Sequence, residues 1–213
     1  MNTAMAQLES IRSQSLQTAS ELGYSPSDSL PLLDGTRIYR EASDVASRLF
    51  AMLCVAACSY GFDRRNANDW LEQQGGTGLL SHAERNFLES GVGDRQQFMQ
   101  QIEGMWALAW CINVVSQLDF GQSCSQELIS CFPDLKKNES GEAFRERACL
   151  RVESDIVGQC DLAYCLHWAI VDAPLQGKTL PAGVVKPYVV IERRRALEWM
   201  LTDEEWESIS LDT

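Results

Sequence analysis

The sequence predicts an all-α fold, a single compact helical domain of about eight helices. Apolar residues recur at the three- and four-residue spacing of amphipathic helices, and capping residues and glycines stand where such helices would begin and end. The chain has 213 residues, of which 45% are hydrophobic and 23% are charged. This composition argues against a disordered or fibrous chain, and the length is enough to bury a substantial core.

Residues 1–35 are predicted to form a helix and a loop that pack on the main domain. Apolar side chains lie at helical spacing over residues 4–22, and Gly23 follows as a helix-ending residue. The Pro, Ser, Asp and Gly content of residues 24–35 is typical of a loop. The main helical domain is therefore expected over residues 36–213.

Capping signals and composition place the helices of the main domain. Ser81 and Glu84 match a capping box, in which a hydroxyl and a carboxylate bond free backbone N–H groups, and Asp94 can cap the next helix. Gly158 is expected to divide a long helical stretch, and Tyr188–Ile191 would also suit a strand. The predicted helices span residues 37–59, 67–74, 81–90, 95–116, 125–131, 142–172 in two pieces, 188–201 and 203–209.

The cysteines indicate the reduced thiols of a cytoplasmic protein. None of the eight forms a Cys-x-x-Cys pair, and most lie in apolar, helix-like stretches. The first twenty residues lack the apolar core of a signal peptide, and the longest apolar run, Leu49–Cys58, is shorter than the roughly 20 residues of a membrane span. Since the only histidines are His82 and His167, we expect no metal site. We also expect no cofactor and no membrane partner.

The charge of the chain favours a basic protein as its partner. The formal net charge of −12 argues against nucleic acid, because binding phosphates needs a basic face. The same charge would speed association with a basic protein such as a toxin domain. The oligomeric state stays open. The acids expected to contact the partner are Glu204, Glu205 and Glu207 near the end of the chain, with Asp28, Asp34 and Asp63 in loops.

Polar side chains inside the apolar C-terminal stretches form the candidate site. Asp161, Tyr164 and Asp172 fall near one face of the predicted helix 142–172. No carboxylate faces His167 from its own helix, so an orienting partner must come from another element.

Two interpretations of these residues stay open. In the first they are architecture, because arginine forks pair with buried carboxylates and such pairs are costly to break. That network would contain Glu103, Asp161, Asp172, Glu192, Arg151 and Arg193. In the second they form a ligand pocket. That pocket would offer His167, Asp161 and Glu103 for catalysis and Tyr164, Asp172, Glu192 and Arg193 for binding.

Two segments of the second half resemble a bacterial family of domains of unknown function. The family pattern Asp-Leu-x-Tyr-Arg-Leu-His-Trp-Ala is similar to residues 161–169, and Glu-Arg-x-x-Ala-Leu-x-Trp-Leu is similar to residues 192–200. The resemblance extends over about residues 36–213 and includes the terminal Asp212-Thr213. It implies a fold and supplies no activity.

The chain departs from this pattern at two places. Cys165 stands where the family has arginine, and Gln100 and Gln101 stand where it often has Trp-Arg. Two family cations are therefore expected to be missing. If those cations serve catalysis, the resemblance implies that this member lacks it.

The sequence leads to two function hypotheses, because no motif fixes a reaction. The first is a non-catalytic cytosolic binding protein, with an immunity protein that neutralises a bacterial toxin as one form. The alternative is an enzyme or small-ligand binder, hydrolase-like, with a polar pocket around His167. A structural interpretation, in which the shared residues determine the fold and function lies on the variable surface, is compatible with the first.

Overall fold

Nine α-helices build residues 3–213, the part of the chain that this computed structural model describes. The all-α prediction is confirmed, and one hydrophobic core joins the helices. The helices are α1 (Thr3–Glu21), α2 (Ala42–Ser59), α3 (Arg64–Gln73), α4 (His82–Ser90), α5 (Arg95–Gln100), α6 (Ile102–Cys111), α7 (Glu142–Arg147), α8 (Glu153–Leu175) and α9 (Pro187–Met200). Short 3-10 helices span Thr77–Leu79, Gln126–Cys131, Leu135–Lys137 and Trp206–Ser208.

Local capping explains where the middle helices begin and end. The Ser81 hydroxyl accepts from the Glu84 N–H at 3.2 Å and the Glu84 carboxylate accepts from the Ser81 N–H at 2.9 Å, which confirms the predicted capping box. Asp94 accepts from two backbone N–H groups of the first turn of α5, as predicted. Gly91 ends α4 with a φ of 81°, a conformation that favours glycine.

The core is centred on α2, which is buried along most of its length and packs on α3 and α6. Its apolar second half is almost wholly buried. Of the described residues, only those of α2 are long and apolar enough to cross a membrane, and 72% of that helix is buried inside the protein. The interior helix of a globular core has the same length and composition.

A second layer positions the candidate site, because α9 packs against both α6 and α8. On the other side of α8 lies α1, whose Ala19 is fully buried and whose Arg12 is 5% exposed. Gly23 ends this helix with a φ of 87°, as expected. Met1 and Asn2 of the predicted N-terminal unit lie outside the described residues.

Three predicted helix boundaries were wrong. Residues 37–41 are extended instead of helical, since the N–H of Tyr39 bonds to the Met200 carbonyl at 2.9 Å. The predicted helix 95–116 is two helices joined at Gln101, and it ends at Cys111. Helix α8 runs unbroken through Gly158; the break lies before it, at residues 148–152.

Candidate functional site

Buried arginine–carboxylate pairs occupy the polar interior of the protein. An isolated buried charge is costly, so each such group needs a partner of opposite charge and further hydrogen bonds. The shortest N–O distances are 2.6 or 2.7 Å, and every side chain involved is at most 6% exposed. The pairs are Arg12–Asp161, Arg48–Glu84 and Arg193–Glu103.

The Arg193–Glu103 pair holds the loop that follows α6. Arg193 donates to the Glu103 carboxylate and also to the carbonyls of Asp119 and Gln122 at 2.6 and 2.8 Å. The second carboxylate oxygen of Glu103 accepts from the Cys124 N–H at 2.9 Å. Both oxygens of Glu103 are therefore occupied, and neither is free to take a proton from a substrate.

Asp161 pairs with Arg12 of α1, a partner that the sequence analysis missed. The guanidinium donates to both carboxylate oxygens at 3.1 and 2.7 Å, and it also donates to the carbonyls of Leu30 and Pro31. One side chain thus ties α1 to α8 and to the loop that follows α1. No signal in the sequence links two residues 149 positions apart.

Arg12 also changes the interpretation of Cys165. Burial, followed by the Asp161 charge, raises the pKa of the Cys165 thiol to about 12, and the nearby Arg12 guanidinium opposes the shift. Cys165 stands where the family pattern has arginine, and α1 brings the Arg12 cation close to this position from elsewhere in the chain.

His167 lies against Arg194 and not against a carboxylate. The distance from Arg194 Nη1 to His167 Nδ1 is 2.7 Å, so the ring accepts from the guanidinium and its proton resides on Nε2. Burial, followed by the charges of Arg194 and Arg195, lowers the pKa of His167 from 6.5 to about 4. A neutral imidazole with Nδ1 occupied is a poor general base at neutral pH.

The other predicted site residues lie apart from one another. Tyr164 is 9% exposed, with Arg194 4.8 Å and Arg12 5.6 Å from the centre of its ring. Asp172 is half-buried and accepts from Gln176 at 3.3 Å. Glu192 is buried, and burial raises the pKa of its carboxyl against the opposing charges of Arg195 and Arg48.

The predicted ion-pair network is therefore only partly present. Arg193 and Glu103 pair as expected, but Arg151 donates to the carbonyls of Trp110, Val115 and Ser116 instead of to a carboxylate. One carboxylate oxygen of Glu192 makes no hydrogen bond with any described residue.

Burial favours the thiol form of most of the cysteines. All eight are free, and five of them are buried. Burial raises the pKa of Cys58 to about 11, and this shift disfavours the reactive thiolate. Within residues 3–213 there is no group of three or more His, Cys, Asp or Glu side chains that could hold a metal ion.

The acids near the end of the chain lie on a short, anchored segment at the surface. Trp206 is 7% exposed, packs edge-on against Trp199 at 5.8 Å, and lies 4.1 Å from the Arg48 guanidinium. Arg40 donates to the Glu204 carbonyl. These contacts hold the backbone of the segment and leave the side chains of Glu204, Glu205 and Glu207 exposed.

Fold and site together define a class: an all-helical domain with three buried arginine–carboxylate pairs in its interior and a group of unpaired acids at its surface. The chain belongs to the family described as Domain of unknown function (DUF4272), whose model matches residues 12–209. That match begins at Arg12, so it includes the second half of α1, which the sequence resemblance left out. The chain matches no curated protein and no solved structure.

Proposed function

We propose that this chain is a non-catalytic cytosolic protein that binds a basic partner protein. The form that we favour is an immunity protein, of bacterial origin, that neutralises a toxin domain. Its contact surface, which we call the acidic segment, consists of residues 203–207. A fixed, acidic surface increases the rate of encounter with a basic protein and lowers the entropy lost on binding.

The observation that carries the proposal is the contrast within the acidic segment between an anchored backbone and the free carboxylates of Asp203, Glu204 and Glu205. The Glu207 carboxylate accepts from the Ala83 N–H at 3.0 Å and so belongs to the anchor. Trp206 and the Arg40–Glu204 contact fix the main chain. Asp203, Glu204 and Glu205 are exposed, and their carboxylates form no ion pair with any described residue. Three carboxylates are therefore presented in one place without an ion-pair partner among the described residues.

The interior also supports a non-catalytic function, because its polar side chains are engaged in structural contacts. Glu103 and Asp161 are held by arginines, and His167 is neutral with Nδ1 occupied. Each catalytic candidate of the alternative hypothesis thus has a structural role. The remaining place for a function that depends on charge is the surface.

The test is capture of the partner from a lysate of the source cells. Immobilised wild-type chain is compared with the variant Asp203→Lys, Glu204→Lys, Glu205→Lys, and retained proteins are identified by mass spectrometry. We expect the wild type to retain a basic protein at low salt and the variant to lose it. For the immunity form, adding the wild-type chain should also inhibit the activity of the captured toxin.

A matched control separates local contact from overall charge. The variant Glu72→Lys, Glu89→Lys, Glu146→Lys changes the net charge equally at exposed positions on α3, α4 and α7. We expect it to retain the basic partner. Equal loss from both variants, or a retained protein that is not basic, would contradict the proposal.

A further inference from the structure

A cleft of about 420 Å³ lies beside the acidic segment. Its walls come from the loop of residues 31–35, from Tyr164 of α8, from Arg194 and Glu198 of α9, and from the residues that flank the segment on both sides. Thr202 precedes the segment and Asp212 follows it, and both line the cleft. The cleft is therefore continuous with the surface assigned above to the partner.

The charges around the cleft leave two carboxylates without compensation. Arg194 Nε donates to Glu198 at 3.1 Å, and this pair cancels the only positive charge among the described residues that line the cleft. Asp34 is exposed and makes no ion pair or hydrogen bond through its carboxylate with any described residue. The carboxylate of Asp212 accepts only from the Ser210 hydroxyl among the described residues, at 2.8 Å.

The arginine in the wall cannot serve an anionic ligand. Besides Glu198, its guanidinium donates to His167 and to the carbonyls of Leu211 and Asp212 at 3.1 and 3.0 Å. The side chain is 4% exposed, and its donors point into the protein. The groups that remain available to a ligand are acceptors.

Tyr164 supplies an independent indication of a ligand. Its side chain is nine-tenths buried, it lines the cleft, and its hydroxyl has no hydrogen-bond partner among residues 3–213. Burial raises the pKa of Tyr164, so the hydroxyl stays protonated. The hydroxyl opens onto the cleft, where a bound donor or acceptor can replace the water that would otherwise satisfy it.

The walls between these polar groups are aliphatic, with Pro31, Leu33 and Leu201 contributing to them. An aliphatic wall beside uncompensated carboxylates fits a ligand that has a methylene stem and a cationic head. Burial raises the pKa of Glu198 against the opposing effect of Arg194, and the charge of Asp34 adds a smaller effect in the same direction as burial. A cation bound in the cleft would favour the charged form of these carboxylates.

We propose that this cleft binds the side chain of an arginine or lysine presented by the basic partner. The inference rests on the proposed function and deepens it, since it adds a specific subsite to a surface attraction. The methylenes of the partner residue lie along Pro31 and Leu201, its cationic head reaches Asp34 and Asp212, and an N–H group donates to the Tyr164 hydroxyl oxygen.

The test uses Nα-acetyl-arginine amide as the probe and its neutral analogue, Nα-acetyl-citrulline amide, as the ligand control. Binding is followed by NMR titration, with the amide signals of Gly35 and Thr202 as reporters of the cleft. We expect the arginine probe to shift these signals and the citrulline analogue to leave them unchanged. Equal binding of both probes would overturn the proposal.

Variants locate the bound cation. The double change Asp34→Asn, Asp212→Asn should raise the Kd of the arginine probe about tenfold, which corresponds to about 1.4 kcal/mol. Tyr164→Phe removes only the hydroxyl and should weaken binding by a smaller factor. The control Asp69→Asn, Glu72→Gln makes the same charge change at exposed positions on α3 and should leave the Kd unchanged. Equal weakening by the control would overturn the site.

The outcomes separate this inference from the proposed function. If a basic partner is captured through the acidic segment but the Asp34→Asn, Asp212→Asn variant binds it as tightly as the wild type, the subsite is wrong and the function stands. If the arginine probe binds in the cleft but no basic protein is captured, the function is wrong, and with it the assignment of the cleft to a partner's side chain.

Discussion

Arg194 donates from Nη1 to Nδ1 of His167 at 2.7 Å, so a permanent cation occupies the ring nitrogen that a catalytic histidine would use. The same arginine holds the carbonyls of Leu211 and Asp212. His167 thus belongs to a group of contacts that fixes the end of the chain against α8 and α9. This relationship explains why a histidine in an apolar helix has a structural role in this protein.

The first prediction concerns the pH dependence of stability. The pKa of His167 is about 4 in the folded protein and 6.5 when unperturbed, so between these values the unfolded chain binds a proton that the folded chain does not. Stability contributed by the neutral ring is therefore complete above pH 6.5 and is lost as pH falls toward 4. The shift corresponds to roughly 3 kcal/mol.

The variant His167→Asn isolates this effect, because the amide oxygen can accept from Arg194 and does not titrate. Urea unfolding between pH 7 and pH 4 should show a smaller loss of stability for the variant than for the wild type. Parallel pH profiles for the two proteins would show that His167 is not held neutral.

The second prediction concerns the buried pair of Glu103 and Arg193. Glu103→Gln leaves the Arg193 guanidinium buried without a counter-charge, and breaking a buried pair in this way costs about 3–5 kcal/mol. Chemical denaturation measures the loss. Lys137→Ala, which disrupts an ion pair on an exposed side chain, is the control and should give no resolvable change. Equal effects would mean that the interior pair is as solvated as the surface pair.

The third prediction concerns the attachment of α1. Arg12→Met keeps much of the side-chain volume but removes the bonds to Asp161 and to the carbonyls of Leu30 and Pro31. Hydrogen exchange should become faster in α1 and in residues 24–35, because both depend on this guanidinium. Arg65→Met changes an exposed arginine on α3 and should leave exchange there unaltered. Unchanged protection in the Arg12 variant would show that Arg12 does not hold α1 and residues 24–35 in place.

The fourth prediction compares two glycines. A Cβ at Gly141 would lie 2.5 Å from Cε2 of the Phe50 ring, so Gly141→Ala should destabilise the protein by about 1–3 kcal/mol. A Cβ at Gly158, inside α8, would meet nothing within 4 Å, so Gly158→Ala should stabilise it by about 1 kcal/mol. Thermal unfolding measures the change in Tm of each variant. Changes of the same sign would contradict the tight packing at Gly141 and the open space at Gly158.

Local signals in the sequence predicted the fold class and several helix ends. The Ser81–Glu84 capping box and the Asp94 cap involve residues within one turn, so their chemistry is readable from neighbouring positions. The boundaries that were wrong depend on distant contacts. Residues 148–152 leave the helix because the N–H groups of Cys149 and Arg151 bond to the Ile112 and Cys111 carbonyls.

The candidate site was predictable only in part, because it also depends on contacts between residues that are far apart in the sequence. Glu103 and Arg193 were expected to belong to one network because arginine forks pair with buried carboxylates. The partners of Asp161 and His167 were missed, since periodicity shows which face of a helix a residue occupies and not which side chain from another helix will meet it. Arg12 in particular lies in a polar stretch that resembles an exposed helix face.

The central claim is that the acidic segment steers a basic partner to this protein. The most direct measurement is the salt dependence of the association rate of the captured partner, by stopped-flow, for the wild type and for the variant Asp203→Lys, Glu204→Lys, Glu205→Lys. We predict a wild-type rate that falls steeply with salt and a variant rate that is slower and less sensitive to it. Equal rates with equal salt dependence would contradict the claim.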